Sequence, residues 1–140
     1  MDLKSPHNPD QSILYEINIA EPVAGNNSLA FAQKIAIDSK LPFAVIYFHP
    51  NKSVKLENKL VLGKLEELEN DLEKYNIPLM VFIGDRTDRL EGISMHLNPS
   101  TIYNNKAESS GNHTLAVHPI TWPGVVFSTK VLRTRILSGV

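Results

Sequence analysis

A set of mostly polar residues follows three apolar segments of the chain, where binding groups stand in many α/β proteins. In an open parallel sheet, ligands bind beyond the carboxyl ends of the strands, where the strand order reverses. If the apolar segments are such strands, the residues after them line a cleft for a small ligand, such as a nucleotide. The candidates are Glu21, Asn26, Asn27, Phe48, His49, Gly84, Asp85 and Arg86.

Each candidate also has a purely structural interpretation. Gly84 allows close approach of a ligand to the backbone, and the following helix start, with Arg86, suits an anion. Gly84 and Asp85 are equally typical of a strand-to-helix turn in which Asp85 caps the helix. Asn26 and Asn27 likewise indicate a capped helix start. The sequence contains neither G-x-G-x-x-G after the first segment nor G-x-x-x-x-G-K-[ST], the usual phosphate-binding loops.

Other site chemistries find little support. The chain has no cysteine, which excludes disulfides, thiolate zinc sites and cysteine nucleophiles. Its five histidines form no i,i+4 pair, and there is no G-x-S-x-G elbow, so we expect no metal site and no catalytic residue. The paired acids Glu66, Glu67 and Glu69 are predicted to lie on a solvated helix face, and His49 is predicted to stand exposed at a strand end.

The apolar pattern alternates between strands and helices. Short apolar runs predict strands at Ile13–Ile19, Phe43–Phe48, Leu79–Ile83, Thr101–Tyr103 and Thr114–Val117. Periodic apolar positions predict helices at Ser28–Ser39, Leu56–Tyr75 and Thr87–Leu97. The order is typical of stacked βαβ units. It predicts an α/β fold with a Rossmann-like open parallel sheet of about five strands and helices on both faces.

The 140 residues and 42% apolar composition fit one domain of ordinary size. We expect a flexible lead-in at 1–12, an α/β domain at 13–130 and a tail at 131–140. A net charge of -1 gives no strong signal for nucleic acid or anionic membranes, and no apolar run is long enough to span a bilayer. The polar N-terminus lacks a signal-peptide core, so a cytoplasmic location is expected.

Five stretches resemble the N-terminal α/β domain of the DNA photolyase/cryptochrome family, especially its class II branch. They are Asn26–Ala36, Leu41–Tyr47, Leu62–Leu68, Asn76–Leu79 and Phe82–Asp85. The resemblance covers about residues 13 to 130 and rests on the order and spacing of these segments. It implies the fold given above and a strand-end cleft of the kind that holds a light-harvesting pigment in that family.

Two departures from the family limit what the resemblance implies. The family's arginine-rich signature after the first strand is replaced by Ala20–Val23, and Asn26 stands where the family usually has aspartate. The chain also stops at Val140, before the helical domain that binds flavin and DNA in photolyases. We therefore expect no FAD and no photolyase activity from this chain alone.

Two functions follow as the main hypotheses, and a third, an enzyme whose site is assembled from Glu21, His49 and Asp85, is placed last. The first is a non-catalytic photolyase-like domain that binds a small planar ligand, of unspecified identity, in the strand-end cleft. The alternative is a structural or interaction domain that dimerises or docks to a separate protein through the apolar segment Val125–Val140. An open cleft beside Glu21, His49 and Gly84 favours the first, and a cleft filled by side chains favours the second.

Overall fold

The computed structural model describes residues 11–49, 59–106, 111–122 and 136–137. Strands and helices alternate along the chain as predicted. They are β1 (Ser12–Glu16), α1 (Asn27–Ser39), β2 (Phe43–His49), α2 (Lys59–Glu73), β3 (Leu79–Ile83), α3 (Arg86–Leu97), β4 (Pro99–Tyr103) and β5 (Ile136–Leu137). The predicted start of the second helix, at 56–58, lies outside the described residues.

The strands form one sheet in the order β4-β1-β2-β3-β5, and every pairing is parallel. Four strands have five to seven residues, and β5 adds two residues beside β3. The predicted α/β class with a parallel sheet is confirmed. The predicted strand at Thr114–Val117 is wrong, because that segment joins no strand and lies instead across α1.

Successive residues of each strand point to opposite faces of the sheet, and different helices cover the two faces. On one face, Tyr15, Val45 and Val81 pack in a cluster with residues of α1 and α2. On the other, Ile46 and Phe82 pack with α3 and Trp122. The full second cluster is Leu14, Ala44, Ile46, Met80, Phe82, Ile93, Leu97 and Trp122. Because both faces are covered, the continuous apolar runs of β2 and β3 are buried except at Phe48 and Ile83, which are half-buried.

The turns from helix to strand share one design. Each contains a non-glycine residue with positive φ, followed within two residues by proline. The pairs are Lys40 with Pro42, Asn76 with Pro78, and Asn98 with Pro99. A left-handed residue satisfies the last helical carbonyls, and proline then prevents further helix. At most five residues therefore separate each helix from the next strand. Because every strand pairing is parallel, the carboxyl ends of the strands lie at one edge of the sheet. Among the described helices, none is long and apolar enough to cross a membrane.

Candidate functional site

Glu21 organises the loop between β1 and α1. Tyr15, fully buried in β1, donates its hydroxyl hydrogen to Oε2 of Glu21. Asn26 Nδ2 donates to the same oxygen over 2.7 Å, and the backbone N–H of Asn18 donates to Oε1 over 3.3 Å. Glu21 and Asn26, predicted separately as site residues, therefore lie in contact at the carboxyl end of β1.

Asn26 also begins α1, as predicted. Its Oδ1 accepts a hydrogen bond from the backbone N–H of Leu29 at 3.1 Å. Burial, followed by the hydrogen bond and negative charge of Glu21, raises the pKa of Tyr15 above its ordinary value. Tyr15 therefore stays protonated and remains the donor in its bond to Glu21.

A cavity of about 360 Å³, here called the loop cavity, opens beside this loop. Residues 19–24 of the loop form one wall, and α2 forms the other. Its ionisable lining residues are Glu21, Glu67 and Asp71 against Lys64, so acids outnumber bases. Ile19, Pro22, Val23 and Leu68 supply apolar surface.

Asn27, next along the chain, holds a distant segment. Its Oδ1 accepts from the backbone N–H of His113 at 2.6 Å, and its Nδ2 donates to the carbonyl of Gly111 at 3.1 Å. The His113 ring lies 5.2 Å from the ring of Phe31, one helical turn further along α1. Residues 111–118, which we call the strap, thus cross α1 near its start.

The other end of the strap is fixed by residues that the sequence analysis did not single out. The buried side chain of Gln33 donates to the carbonyl of Ala116 at 2.7 Å and accepts from its N–H at 2.9 Å. Asn76 donates to the carbonyl of His118 at 3.0 Å. The sequence did carry one signal of this contact. Gln33 stands among alanines on the apolar face of α1, and a buried amide needs hydrogen-bond partners.

His118 is itself buried at this fixed end. Its backbone N–H donates to the carbonyl of Tyr75 at 2.7 Å. In the ring, Nε2 lies 2.8 Å from the carbonyl oxygen of Leu41. Because a carbonyl only accepts, Nε2 carries the hydrogen and Nδ1 does not. Nδ1 is buried without a hydrogen-bond partner among the described residues. Burial lowers the pKa of His118, and the bond to Leu41 opposes this only in part.

Two further cavities border the strap. The inner cavity, about 160 Å³, lies between residues 23–26 and His113–Leu115 and shares Val23 and Ala24 with the loop cavity. The groove cavity, about 430 Å³, lies between α1 and residues 112–114. It shares Ala30, His113 and Thr114 with the inner cavity. The inner cavity therefore adjoins each of the other two near the start of α1.

At the ends of β2 and β3, described side chains pack closely around His49 and Gly84. His49 is only 2% exposed, contrary to the expectation of an exposed histidine, and its ring lies beside Tyr47. The N–H of Gly84 donates to the carbonyl of His49 at 2.8 Å. The Arg89 side chain covers Gly84, because a Cβ there would lie 2.9 Å from Arg89 Nε. The Arg89 guanidinium thus occupies the space beside Gly84.

The remaining predicted site residues lie on or near the α3 side of the sheet. Phe48 stacks on Phe82, with ring centroids 5.8 Å apart. Arg86 Nε donates to Oε1 of Glu16 at 2.7 Å, joining the start of α3 to the end of β1. Asp85 occupies the N-cap position of α3 but makes no side-chain capping bond. Of the eight candidates, Glu21 and Asn26 line described cavities, and Asn27 holds the strap that borders two of them.

Glu69 corrects a further expectation. It is 3% exposed, whereas Glu66 and Glu67 are exposed as predicted. Its position on α2 is four residues after Leu65 and three before Leu72, which places it on the core-facing side. No group of three or more metal-ligating side chains occurs among residues 11–49, 59–106, 111–122 and 136–137.

No protein-family model matches this chain, and no curated protein matches it.

Proposed function

We propose that this chain is a non-catalytic, Rossmann-like domain that binds a small planar ligand in the loop cavity. The observation that carries the proposal is the position of this cavity, just beyond the carboxyl end of β1. The order β3-β2-β1-β4 is that of the first four strands of a Rossmann sheet, in which ligands bind at this edge. A volume of about 360 Å³ falls within the usual range for small-molecule sites.

The lining of the cavity narrows the ligand class. Three carboxylates against one lysine disfavour a phosphate and favour a ring system that carries amino or ring N–H donors. Apolar residues of the loop and Leu68 supply surface for the faces of such a ring. A pterin, an alloxazine or an unphosphorylated purine fits these demands better than a nucleotide does. The resemblance to photolyases, whose N-terminal domains hold a pigment, supports a chromophore, and a cytoplasmic location remains part of the proposal.

Fluorescence titration and thermal shift with pterin, lumichrome, adenosine and AMP test the proposal directly. We expect lumichrome or pterin to bind, and adenosine to bind better than AMP. Glu67→Lys reverses a charge in the lining and is expected to weaken binding about tenfold. The control is Glu66→Lys, which changes an exposed acid on the same helix that does not line the cavity. Failure of all four compounds to bind the wild-type protein would contradict the proposal.

The alternative, an interaction domain, is supported by the burial of His49 and by the Arg89 side chain that lies against Gly84. Part of the C-terminal segment already pairs within the chain, because Ile136 and Leu137 lie beside Val81 and Phe82. The rest of the segment lies outside the described residues. Sedimentation measurements over a wide concentration range distinguish the two functions. A tight dimer that binds none of the four compounds would favour the alternative.

A further inference from the structure

We propose that Glu21 is the counter-ion of the loop cavity and selects a ligand whose ring is protonated and positively charged. The ligand class thus narrows from a planar ring with N–H donors to a cationic aminoheterocycle. This inference rests on the proposed function, because it concerns the same cavity. The two remain separable by experiment, since the cavity can bind a ring without selecting for its charge.

The Glu21 carboxylate has an unfilled hydrogen-bond acceptor site among its described contacts. An ionised carboxylate accepts about four hydrogen bonds, two at each oxygen. Oε2 takes both of its donors from the protein, the Tyr15 hydroxyl and Asn26 Nδ2. Oε1 takes a single donor, the backbone N–H of Asn18 at 3.3 Å. Because Glu21 lines the loop cavity, we assign the open site of Oε1 to a donor that enters there.

The protein donors also hold Glu21 in place before any ligand arrives. Tyr15 is fully buried in β1, and Asn26 is fixed at the start of α1, where it caps the helix through Leu29. Because burial and the bond to Glu21 raise the pKa of Tyr15, the tyrosine stays a donor and the negative charge stays on Glu21. A carboxylate that is already oriented loses little conformational entropy when it binds a cation.

The charges around the loop cavity favour a cation over a neutral ring. Among the described residues, no lysine, arginine or histidine pairs with Glu21, so only neutral donors contact its charge. Glu67 adds a negative charge on the α2 wall, while Asp71 is paired with Lys74 at 3.4 Å. Exposed Lys64 is the only base among the described lining residues. A charged N–H at Oε1 makes a hydrogen bond roughly twice as strong as a neutral one.

Two pteridines that differ in one substituent provide the test. Diaminopteridine takes up a proton on its ring, whereas pterin has an oxo group in place of one amino group and stays neutral near pH 7. We expect the protein to bind diaminopteridine about tenfold more tightly than pterin. Its affinity should rise as the pH falls from about 7.5 to about 6, because contact with Glu21 favours the protonated ring. The affinity for pterin should stay constant over this range.

The absorbance of the bound compound reports its protonation, because neutral and protonated pteridine rings absorb at different wavelengths. At a pH where free diaminopteridine is neutral, the bound compound should show the protonated spectrum. Glu21→Gln removes the charge and keeps an oxygen for Tyr15 and Asn26, so the bound spectrum should become neutral and the affinity about tenfold weaker. Glu66→Gln is the matched control, because it removes a charge from an exposed position on α2 outside the cavity lining. It should change neither the spectrum nor the affinity.

The wild-type protein alone can overturn the counter-ion role. A neutral spectrum of bound diaminopteridine, or equal affinity for the two pteridines, would do so and would leave the proposed function intact. An equal loss of affinity in Glu66→Gln would mean that net charge alone acts, and it would overturn the role as well. If neither pteridine binds, the role of Glu21 is overturned, and the titrations with lumichrome and adenosine decide the proposed function.

Discussion

Asn26 has two tasks that demand different atoms of one side chain. Its Oδ1 caps α1 through Leu29, and its Nδ2 donates to Glu21. Aspartate at position 26 would be an equally good cap but would offer no donor. In this chain its charge would face the Glu21 carboxylate. The pairing of Glu21 with Asn26 explains why asparagine suits this loop.

We therefore predict that Asn26→Asp destabilises the protein more than Asn26→Ser. Both variants keep a capping oxygen, but only aspartate adds a like charge beside Glu21. The expected extra loss is about 1 kcal/mol at neutral pH and low salt, measured by urea unfolding. The difference should shrink when Glu21→Gln is added to both. A larger loss for Asn26→Ser would show that Glu21 does not sense the charge at position 26.

The raised pKa of Tyr15 leads to a second prediction, which concerns stability at alkaline pH. Its pKa is raised in the folded protein, so the folded state keeps a proton that the unfolded state releases above about pH 10. This contribution is complete below pH 10, and the free energy of unfolding falls as the pH rises further. Tyr15→Phe is expected to cost about 1.5–3 kcal/mol at pH 7, because it removes a buried bond to a carboxylate.

Chemical denaturation of both proteins between pH 8 and 11 tests the Tyr15 prediction. The loss of stability above pH 10 should be shallower in Tyr15→Phe than in the wild type. Burial also raises the pKa of Tyr47, so Tyr47→Phe is the matched comparison for a tyrosine without the Glu21 bond. If the free energy of unfolding falls equally steeply with pH in Tyr15→Phe and in the wild type, the pKa of Tyr15 is not raised by folding.

For His118 we expect the opposite dependence of stability on pH, a loss as the pH falls. Its pKa is lowered in the folded protein, so the unfolded state takes up a proton first as the pH falls below 6.5. The stability contribution is complete above pH 6.5 and declines below it, by at most about 1.4 kcal/mol per pH unit. Protonated Nδ1 would be a buried donor without an acceptor among the described residues. His118→Gln should flatten the decline of the free energy of unfolding between pH 7 and 5, measured by chemical denaturation at each pH.

At the scale of elements, the strap shows why a short apolar stretch misleads. Thr114–Val117 has the composition of a strand, but the backbone N–H and carbonyl of Ala116 pair with the amide of Gln33. A primary amide offers the same donor and acceptor as a peptide group, and local composition does not distinguish the two partners. Continuous apolar runs were more informative: β3 matches its prediction, and β2 extends only one residue beyond it.

Gln33 gives the test of this arrangement. Gln33→Met keeps the volume and loses both bonds to Ala116, and we expect a cost of about 1–2 kcal/mol. Gln33→Glu keeps an acceptor but buries a carboxylate, so its cost should be larger at pH 7 than at pH 4. The control is Lys34→Met, at an exposed neighbouring position. Equal stability of Gln33→Met and the wild type would mean that the strap does not depend on this amide.

The candidate site was predicted only in part, for a physical reason. The sequence placed Glu21, Asn26 and Asn27 correctly after the first strand, because strand ends share one edge of a parallel sheet. It did not reveal that Arg89 covers Gly84, or that His49 and Glu69 are buried. Those outcomes depend on which long side chain fills which gap between elements. Such choices arise from tertiary packing, which spacing along one chain does not encode.

At the scale of the whole molecule, the pairing of β5 with β3 decides whether β3 is an edge strand of the sheet. β3 is a strongly apolar strand, and Ile136 and Leu137 pair with Val81 and Phe82 on its outer side. Two residues carry too little pattern to predict such a pairing from sequence. Without them, β3 would expose unpaired backbone groups beside a hydrophobic core, which favours association between chains.

We predict that truncation after residue 130 lowers the melting temperature and causes concentration-dependent association through β3. Truncation after Leu137 is the matched control, because it keeps β5 and removes only three residues. Sedimentation velocity and thermal unfolding of both forms measure the effect. If the shorter chain associates and the control stays monomeric, β5 protects the edge of the sheet within one chain. If both forms are equally stable and monomeric, β5 contributes nothing to that edge, and the C-terminal segment is free for the alternative role of docking to a partner.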